Sequence, residues 1–201
     1  LAVSASRHVR ELHHPKPLTT LPAMQETIET TAMRLAREKA EPISDATISF
    51  SINGKPYFIA DRFEMPLLWF LRDELRLTGT KAGCGDDEDC GGICSVLLEG
   101  KPVRACRTTL QSIKGRNVET VEGLALDRLH PLQRAFIDED VPQCGYCVPA
   151  WLIHGVALLT RNPRANAAEI ARISVICRCG VQVAARRAIL GVADRNRETA
   201  R

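Results

Sequence analysis

Cysteine usage constrains this chain more than any other feature of its sequence. The 201 residues contain eight cysteines, and none of them lies in the first 83 positions. The cysteines form two groups of four in chain order. The first group is Cys84, Cys90, Cys94 and Cys106, and the second group is Cys144, Cys147, Cys177 and Cys179.

Disulfide bonds are the simplest use of an even number of cysteines, but this sequence disfavours them. Disulfide frameworks belong to small secreted chains that cannot build a sufficient core. A chain of 201 residues with 45% hydrophobic content is long enough for one large or two small domains. Cys177 and Cys179 are also too close in sequence to bond easily to each other. Metal or cluster binding is therefore the favoured prediction.

Charge and hydropathy argue against two other classes of protein. A net charge of +3 is too small to indicate nucleic-acid binding. The longest apolar stretch near the middle, 148–159, is about twelve residues long, which is too short to span a bilayer. The first residues lack the long apolar run of a secretory signal.

Because cluster assembly needs reduced thiols, the cytoplasm is the expected compartment, with the periplasm as the alternative.

The sequence pattern predicts a small α+β domain over 46–122. Asn53-Gly54 and Glu99-Gly100 each supply a two-residue turn between short strand-like runs. A proline stands near the start of the one helical stretch. The predicted elements are a hairpin over 47–60, a helix over 65–75, a second hairpin over 94–106 and a last strand over 117–122.

Apolar residues recur at helical spacing from Leu129 onward, which predicts an all-helical second domain over 128–194. Residues 123–127 are the predicted linker. Residues 1–45 are a predicted extension with a helix over 24–40. The extension is expected to be a surface helix or a partly disordered arm, and the alternative is a tether to a partner subunit. The helices predicted in the second domain cover 130–140, 149–161, 166–173 and 183–194.

The cysteine spacings favour an iron–sulfur cluster over a structural zinc ion. Zinc sites typically pair C-x2-C knuckles, and only Cys144-Gly-Tyr-Cys147 has that form. The other intervals suit a loop wrapped around something larger than one ion. A [2Fe–2S] cluster takes four thiolates, and backbone N–H groups around Gly83, Gly85, Gly91 and Gly92 can donate to its sulfides. A zinc-binding structural protein is the less favoured alternative.

Longer stretches around these cysteines resemble one known family. GTKAGCG, DCGGICSVLLEGKPVRACRTTL, HPLQRAFIDEDVPQCGYC and CRCG resemble the small iron–sulfur subunit of the molybdenum hydroxylases, the xanthine-oxidase superfamily. The VPQCGYC form is most similar to the subunits of isoquinoline oxidoreductase and related aldehyde or N-heterocycle dehydrogenases. The resemblance covers roughly residues 46–192.

The resemblance implies a plant-ferredoxin-like β-grasp domain followed by a four-helix domain, each with a [2Fe–2S] cluster on its own cysteine group. It implies a molybdopterin-containing large subunit that hydroxylates the substrate, with Gln143 contacting the molybdopterin. Electrons would then pass through the helical-domain cluster and the β-grasp cluster to a cytochrome c or a flavin. No substrate chemistry is expected on this chain. The alternative is a free-standing two-cluster ferredoxin.

The first cysteine loop departs from the plant-type spacing. That spacing is C-x4-C-x2-C, whereas Cys84, Cys90 and Cys94 leave gaps of five and three residues. We expect the loop to bulge and keep all four ligands, because surface loops absorb short insertions; the alternative is a site with fewer cysteine ligands. The acidic run Asp86–Asp89 is either a solvated stretch or a docking patch for a basic acceptor such as a c-type cytochrome.

Two residues near the second group have roles that the sequence leaves open. Tyr146 lies inside the C-x2-C segment and either shields a cluster from water or packs against its neighbours. His154 lies on a predicted helix among apolar residues. It is expected to be a satisfied core histidine rather than a ligand, because four cysteines already suffice for the cluster.

Overall fold

The computed structural model describes residues 47–83, 91–125 and 128–199, which belong to one compact unit. The predicted extension over 1–45 and the acidic run Asp86–Asp89 lie outside the described residues. Within the described residues, no helix is both long and apolar enough to cross a membrane.

Both predicted hairpins are confirmed. Strand β1 (Ile48–Ile52) pairs with β2 (Lys55–Ile59), and β3 (Ser95–Leu98) pairs with β4 (Lys101–Arg104), both in antiparallel register. Each turn has two residues in the left-handed region, with φ of +51° and +76° in the first turn and +50° and +74° in the second. This backbone matches the twist of the flanking strands, so these two-residue turns connect them without splaying.

A fifth strand joins the two hairpins into one mixed sheet. Strand β5 (Asn117–Glu119) lies parallel to β1 and antiparallel to β3, which gives the order β2-β1-β5-β3-β4. It is shorter than the predicted 117–122. The chain leaves the sheet at Thr120, whose backbone N–H donates to the Asn53 side chain at 2.8 Å.

The predicted helix over 65–75 forms only in part. Helix α1 (Leu67–Trp69) follows Pro66 and continues as a π-helical turn over Phe70–Glu74. The Leu75 N–H donates to the Phe70 carbonyl at 3.1 Å, five residues back. The apolar side of this segment covers the sheet, and the core beneath it is formed by Ile48, Phe50, Ile52, Leu67, Leu68, Phe70, Leu71, Cys94, Val96, Leu98, Ala105, Leu110, Ile113 and Val118.

The four predicted helices of the second region are confirmed, with ends shifted by a few residues. They are α2 (Pro131–Asp138), α3 (Val148–Arg161), α4 (Ala167–Ala171) and α5 (Gln182–Glu198). Capping boxes begin α2 at His130 and α4 at Asn166. Their buried core contains Trp151 from α3 and also Ile93 and Leu97 from the β3 region, so it continues onto the sheet.

Candidate metal centres

The hairpin of β3 and β4 brings together the two described members of the first cysteine group. Cys94 immediately precedes β3, and Cys106 follows β4. Because the strands are antiparallel, their outer ends meet, and the Ala105 N–H donates to the Cys94 carbonyl at 3.2 Å. The two Sγ atoms are 3.4 Å apart, and both cysteines are free. Cys94 is only 1% exposed, so this pair lies at the edge of the sheet core.

The other predicted residues of this group, Cys84, Gly85 and Cys90, lie outside the described residues. The chain just before them is well defined by its contacts. The Arg72 guanidinium donates to the carbonyls of Thr78 and Thr80 at 3.1 and 2.8 Å. An added Cβ at Gly83 would lie 2.4 Å from the Cβ of Ile93. The residue before Cys84 therefore packs directly against the residue before Cys94.

The second cysteine group lies at the starts of α3 and α5. Cys144 and Cys147 precede α3, and Cys177 and Cys179 precede α5. Among the other thiols, Cys177 acts most on the pKa of Cys147 and Cys144 acts most on the pKa of Cys179, so the four thiols fall into two neighbouring pairs. Each pair takes one member from each segment. Cys147 is buried, whereas Cys144 and Cys179 are exposed.

The surroundings of the inner pair, Cys147 and Cys177, shift the pKa values of its two thiols in opposite directions. Burial, followed by the hydrogen bond and the charge of Cys177, raises the pKa of Cys147 to about 12. Burial also acts to raise the pKa of Cys177. The backbone N–H of Val181, the Cys147 side chain and the N–H groups of Cys179 and Gly180 outweigh burial, so the pKa of Cys177 lies below its ordinary value. Backbone donors aimed at a sulfur stabilise it as a thiolate.

The outer pair is exposed and behaves differently. The hydrogen bond between Cys179 and Cys144 is the largest of the effects that raise the pKa of Cys179. The pair lies at the surface, where Gln143 and Tyr146 are exposed beside it. Gln143 makes no hydrogen bond to a described residue, so its side chain is available to a group outside this region.

This arrangement fits a binuclear cluster. A [2Fe–2S] cluster is held by four ligands, two on each iron, and the second group supplies two close pairs of thiols. The backbone donors around Cys177 are of the kind that stabilise the negative charge of cluster sulfur.

Gly91 and Gly92 have positive φ values of +60° and +74°. At both positions, other protein atoms already occupy the space where a Cβ would lie. An added Cβ at Gly91 would lie 2.6 Å from the Ser174 carbonyl oxygen, and one at Gly92 would lie 2.8 Å from the Ser95 Oγ. The sequence gives a reason for glycine at these positions in cluster binding, and the structure adds a second reason in packing.

Sequence reasoning missed the residues that connect the two cysteine groups. The Ser95 Oγ lies 3.0 Å from the Nε2 of His154, and the Tyr146 hydroxyl donates to the Ala82 carbonyl. His154 is thus a satisfied, half-buried histidine, as expected, but its partner is a serine beside Cys94. No local sequence pattern indicates Ser95 or Ala82, because both partners are distant in the chain.

Comparison with known proteins identifies the family. A model of the [2Fe–2S] binding domain matches residues 120–190. The alpha subunit of isoquinoline 1-oxidoreductase from Brevundimonas diminuta is 43% identical over 136 residues, covering 66% of this chain and 88% of that protein. The chain belongs to the small iron–sulfur subunits of the molybdenum hydroxylases. It is therefore the iron–sulfur subunit of an oxidoreductase.

Two further relatives agree with this assignment. One of the nicotinate dehydrogenase subunits of Pseudomonas putida is 40% identical to this iron–sulfur subunit, over 76% of this chain and 98% of that protein. The solved aldehyde oxidoreductase of Desulfovibrio desulfuricans superposes with a TM-score of 0.68 at 33% identity, over 76% of this chain. This chain spans 17% of that longer chain. The shared architecture is a mixed sheet with helices, in the α+β class.

Proposed function

We propose that this subunit carries two [2Fe–2S] clusters and relays electrons. The first cluster is assigned to Cys84, Cys90, Cys94 and Cys106 in a β-grasp domain over 46–122. The second is assigned to Cys144, Cys147, Cys177 and Cys179 in a four-helix domain over 128–194. The mixed sheet, with parallel β1 and β5 at its centre, supports the β-grasp assignment. When bound, each cluster supplies a centre that takes up and releases one electron.

The observation that carries this proposal is the pairing of thiols in the second group. Two pairs, each drawn from both segments, match the two-plus-two ligand requirement of a binuclear cluster. The Sγ contact of 3.4 Å between Cys94 and Cys106 supplies a third close pair in the first group.

The proposed partner is a molybdopterin-containing large subunit that docks over the outer pair of the second group. Cys144, Cys179, Gln143 and Tyr146 are all exposed, which supports a surface that another chain covers. In the aldehyde oxidoreductase, the matched part is a minor share of one long chain. This supports a large partner for the present chain, and Gln143 is the residue that we assign to the molybdopterin contact.

The large subunit is proposed to hydroxylate an N-heterocycle or an aldehyde. The relatives named for isoquinoline and nicotinate favour the N-heterocycle. Electrons would leave this chain from the first group, to a cytochrome c or a flavin. The acidic run Asp86–Asp89 is proposed to attract a basic acceptor. The cytoplasm is the proposed site of assembly, because cluster insertion needs reduced thiols.

Metal analysis tests the proposal directly. Iron, acid-labile sulfide and zinc would be measured per chain on anaerobically purified protein, with EPR spectra of the dithionite-reduced form. Two [2Fe–2S] clusters require equal amounts of iron and sulfide and two distinct rhombic signals. A single signal at half that iron content would mean that the lengthened first loop has lost its cluster. Zinc without sulfide would overturn the proposal.

A further inference from the structure

Three contacts tie the two cysteine groups to each other, and each lies within two residues of a cysteine on at least one side. We call them the junction: Gly91 against Ser174–Ile176, Ser95 with His154, and Tyr146 with Ala82. Its effect is on how the two groups stand relative to each other.

The Gly91 contact is a direct approach of one backbone to another. An added Cβ at Gly91 would lie 2.6 Å from the Ser174 oxygen and 2.7 Å from the Ile176 nitrogen. Atoms of a real side chain do not come this close without displacing the neighbouring backbone. Gly91 follows Cys90 and Ile176 precedes Cys177, so the neighbours of two cysteines touch with no side chain between them.

The Ser95–His154 contact has a defined direction. The Ser95 hydroxyl donates its one hydrogen to the Gly92 carbonyl at 2.6 Å, so its oxygen can only accept from His154. His154 therefore carries its proton on Nε2. Burial lowers the pKa of His154, which keeps the ring neutral at ordinary pH. A residue of α3 thus holds the loop that leads from Gly91 to Cys94.

The third contact ties the other end of the first cysteine loop, the end before Cys84, to the helical region. Tyr146 stands between Cys144 and Cys147, and its hydroxyl donates to the carbonyl of Ala82, two residues before Cys84. Both ends of the first cysteine loop are therefore tied to the helical region. His154 and Gly91 hold the end after Cys90, and Tyr146 holds the end before Cys84.

We propose that the junction sets the separation of the two cysteine groups, with Gly91 fixing their closest approach and His154 acting as the positioning residue that holds the turn from Gly91 to Cys94 against α3. The inference rests on the proposed function, since the separation matters only if both groups hold clusters. Exchange of electrons between two centres slows steeply as they move apart. A loop displaced by a fraction of an ångström would therefore slow the relay without removing any ligand.

Gly91→Ala tests the closest approach, with Gly115→Ala as a matched control. Gly115 has a similar φ of +73°, but an added Cβ there meets nothing within 4 Å. Both changes impose the same backbone strain, and only Gly91→Ala crowds the second group. The measurement is the magnetic splitting between the two clusters in EPR spectra of the fully reduced chain, which falls with the cube of their distance. We expect a smaller splitting in Gly91→Ala and a wild-type splitting in Gly115→Ala.

His154→Leu and His154→Gln test the positioning role. Leucine fills similar space but cannot donate to Ser95, whereas glutamine can. We expect His154→Leu to reduce the splitting and His154→Gln to restore it, with the iron content of both at the wild-type level. A histidine that only fills the core would give the opposite order, because leucine packs better there than glutamine.

The outcomes separate this inference from the proposed function. A wild-type chain with fewer than two EPR signals contradicts the proposed function itself. Two signals in the wild type, with unchanged splitting in Gly91→Ala, overturn the junction. If Gly91→Ala loses the first cluster, the decision passes to His154→Leu, which alters no residue of either cysteine loop; an unchanged splitting there overturns the inference.

Discussion

The two cysteine groups offer similar ligands at different depths. In the first group, Cys94 is buried at the edge of the sheet, and its sulfur meets that of Cys106 under the hairpin. In the second group, Cys147 is buried and Cys177 is half-buried, whereas Cys144 and Cys179 are exposed. The exposure of Cys144 and Cys179 supports the proposed docking of a partner at that surface, whereas the buried thiols of Cys94 and Cys147 face the chain's own interior.

The largest expected effect comes from removing one cysteine in each region. Cys94→Ala and Cys179→Ala should each abolish one EPR signal and about half of the iron, because each cluster needs four ligands. The metal-free chains should then differ. The change at buried Cys94 should lower the free energy of unfolding by about 1 kcal/mol, whereas exposed Cys179→Ala should stay within about 0.5 kcal/mol. Equal losses in urea unfolding would contradict the difference in depth.

Alkylation of the metal-free chain sharpens the same comparison within the second group. The raised pKa of Cys147 keeps its thiol protonated until the pH nears about 12, and the lowered pKa of Cys177 favours its reactive thiolate. At about pH 8, iodoacetamide should modify Cys147 at least about 100-fold more slowly than Cys177. Peptide mass spectrometry would measure both rates. Urea-unfolded protein is the control, in which the two rates should converge.

A charge placed beside the open pair should weaken binding of the large subunit. Val183, in the first turn of α5, is 73% exposed, and Phe58 on β2 is 62% exposed. Val183→Asp should raise the Kd at least about tenfold, because the interface would then bury a carboxylate that has no partner. An acid near a helix N-terminus is favourable, so folding should not suffer. Phe58→Asp is the matched control; if it weakens binding more, the partner covers the sheet region instead.

The smallest expected effects on stability come from removing one local hydrogen-bonding side chain in each region. Asn166 caps α4, and its side chain accepts from the N–H groups of Ala168 and Glu169. Asn166→Ala should cost about 1 kcal/mol of stability. Ser51→Ala, which removes an exposed hydrogen bond to Asn117 in the sheet, should cost no more than about 0.5 kcal/mol. Thermal unfolding would rank the stabilities of the two variants. The reverse order would show that the sheet depends more on its exposed hydrogen bond than α4 depends on its cap.

Features encoded by neighbouring residues could be predicted from the sequence. Both hairpin turns and all four helices of the second region were predictable, because turn chemistry and apolar periodicity act over a few residues. The position of β5 between β1 and β3 was not, since it depends on pairing across the whole sheet. The π-helical turn over Phe70–Glu74 could not be predicted either, because its apolar spacing looks like that of an ordinary helix.

The candidate site likewise has some features that the sequence predicts and others that depend on residues distant in the chain. Grouping of the cysteines was visible from their spacing, but the pairing of Cys147 with Cys177 and of Cys144 with Cys179 was not. His154 was recognisable as a histidine that needs a partner, but Ser95 lies 59 positions away. The packing reason for glycine at position 91 could not be predicted either, because its neighbours 174–176 are distant in sequence and follow α3 and α4 in the chain.

With the nested pairing in the second group, the proposed cluster would cross-link two segments that are distant in the chain. Each pair joins the start of α3 to the start of α5, so metal binding closes a loop of about 30 residues that contains α3 and α4. A cross-link of that span stabilises a chain by about 3–4 kcal/mol in the loop-entropy model. Removing the iron from such a cluster would open that loop and leave α3 and α4 held only by their packing in the buried core.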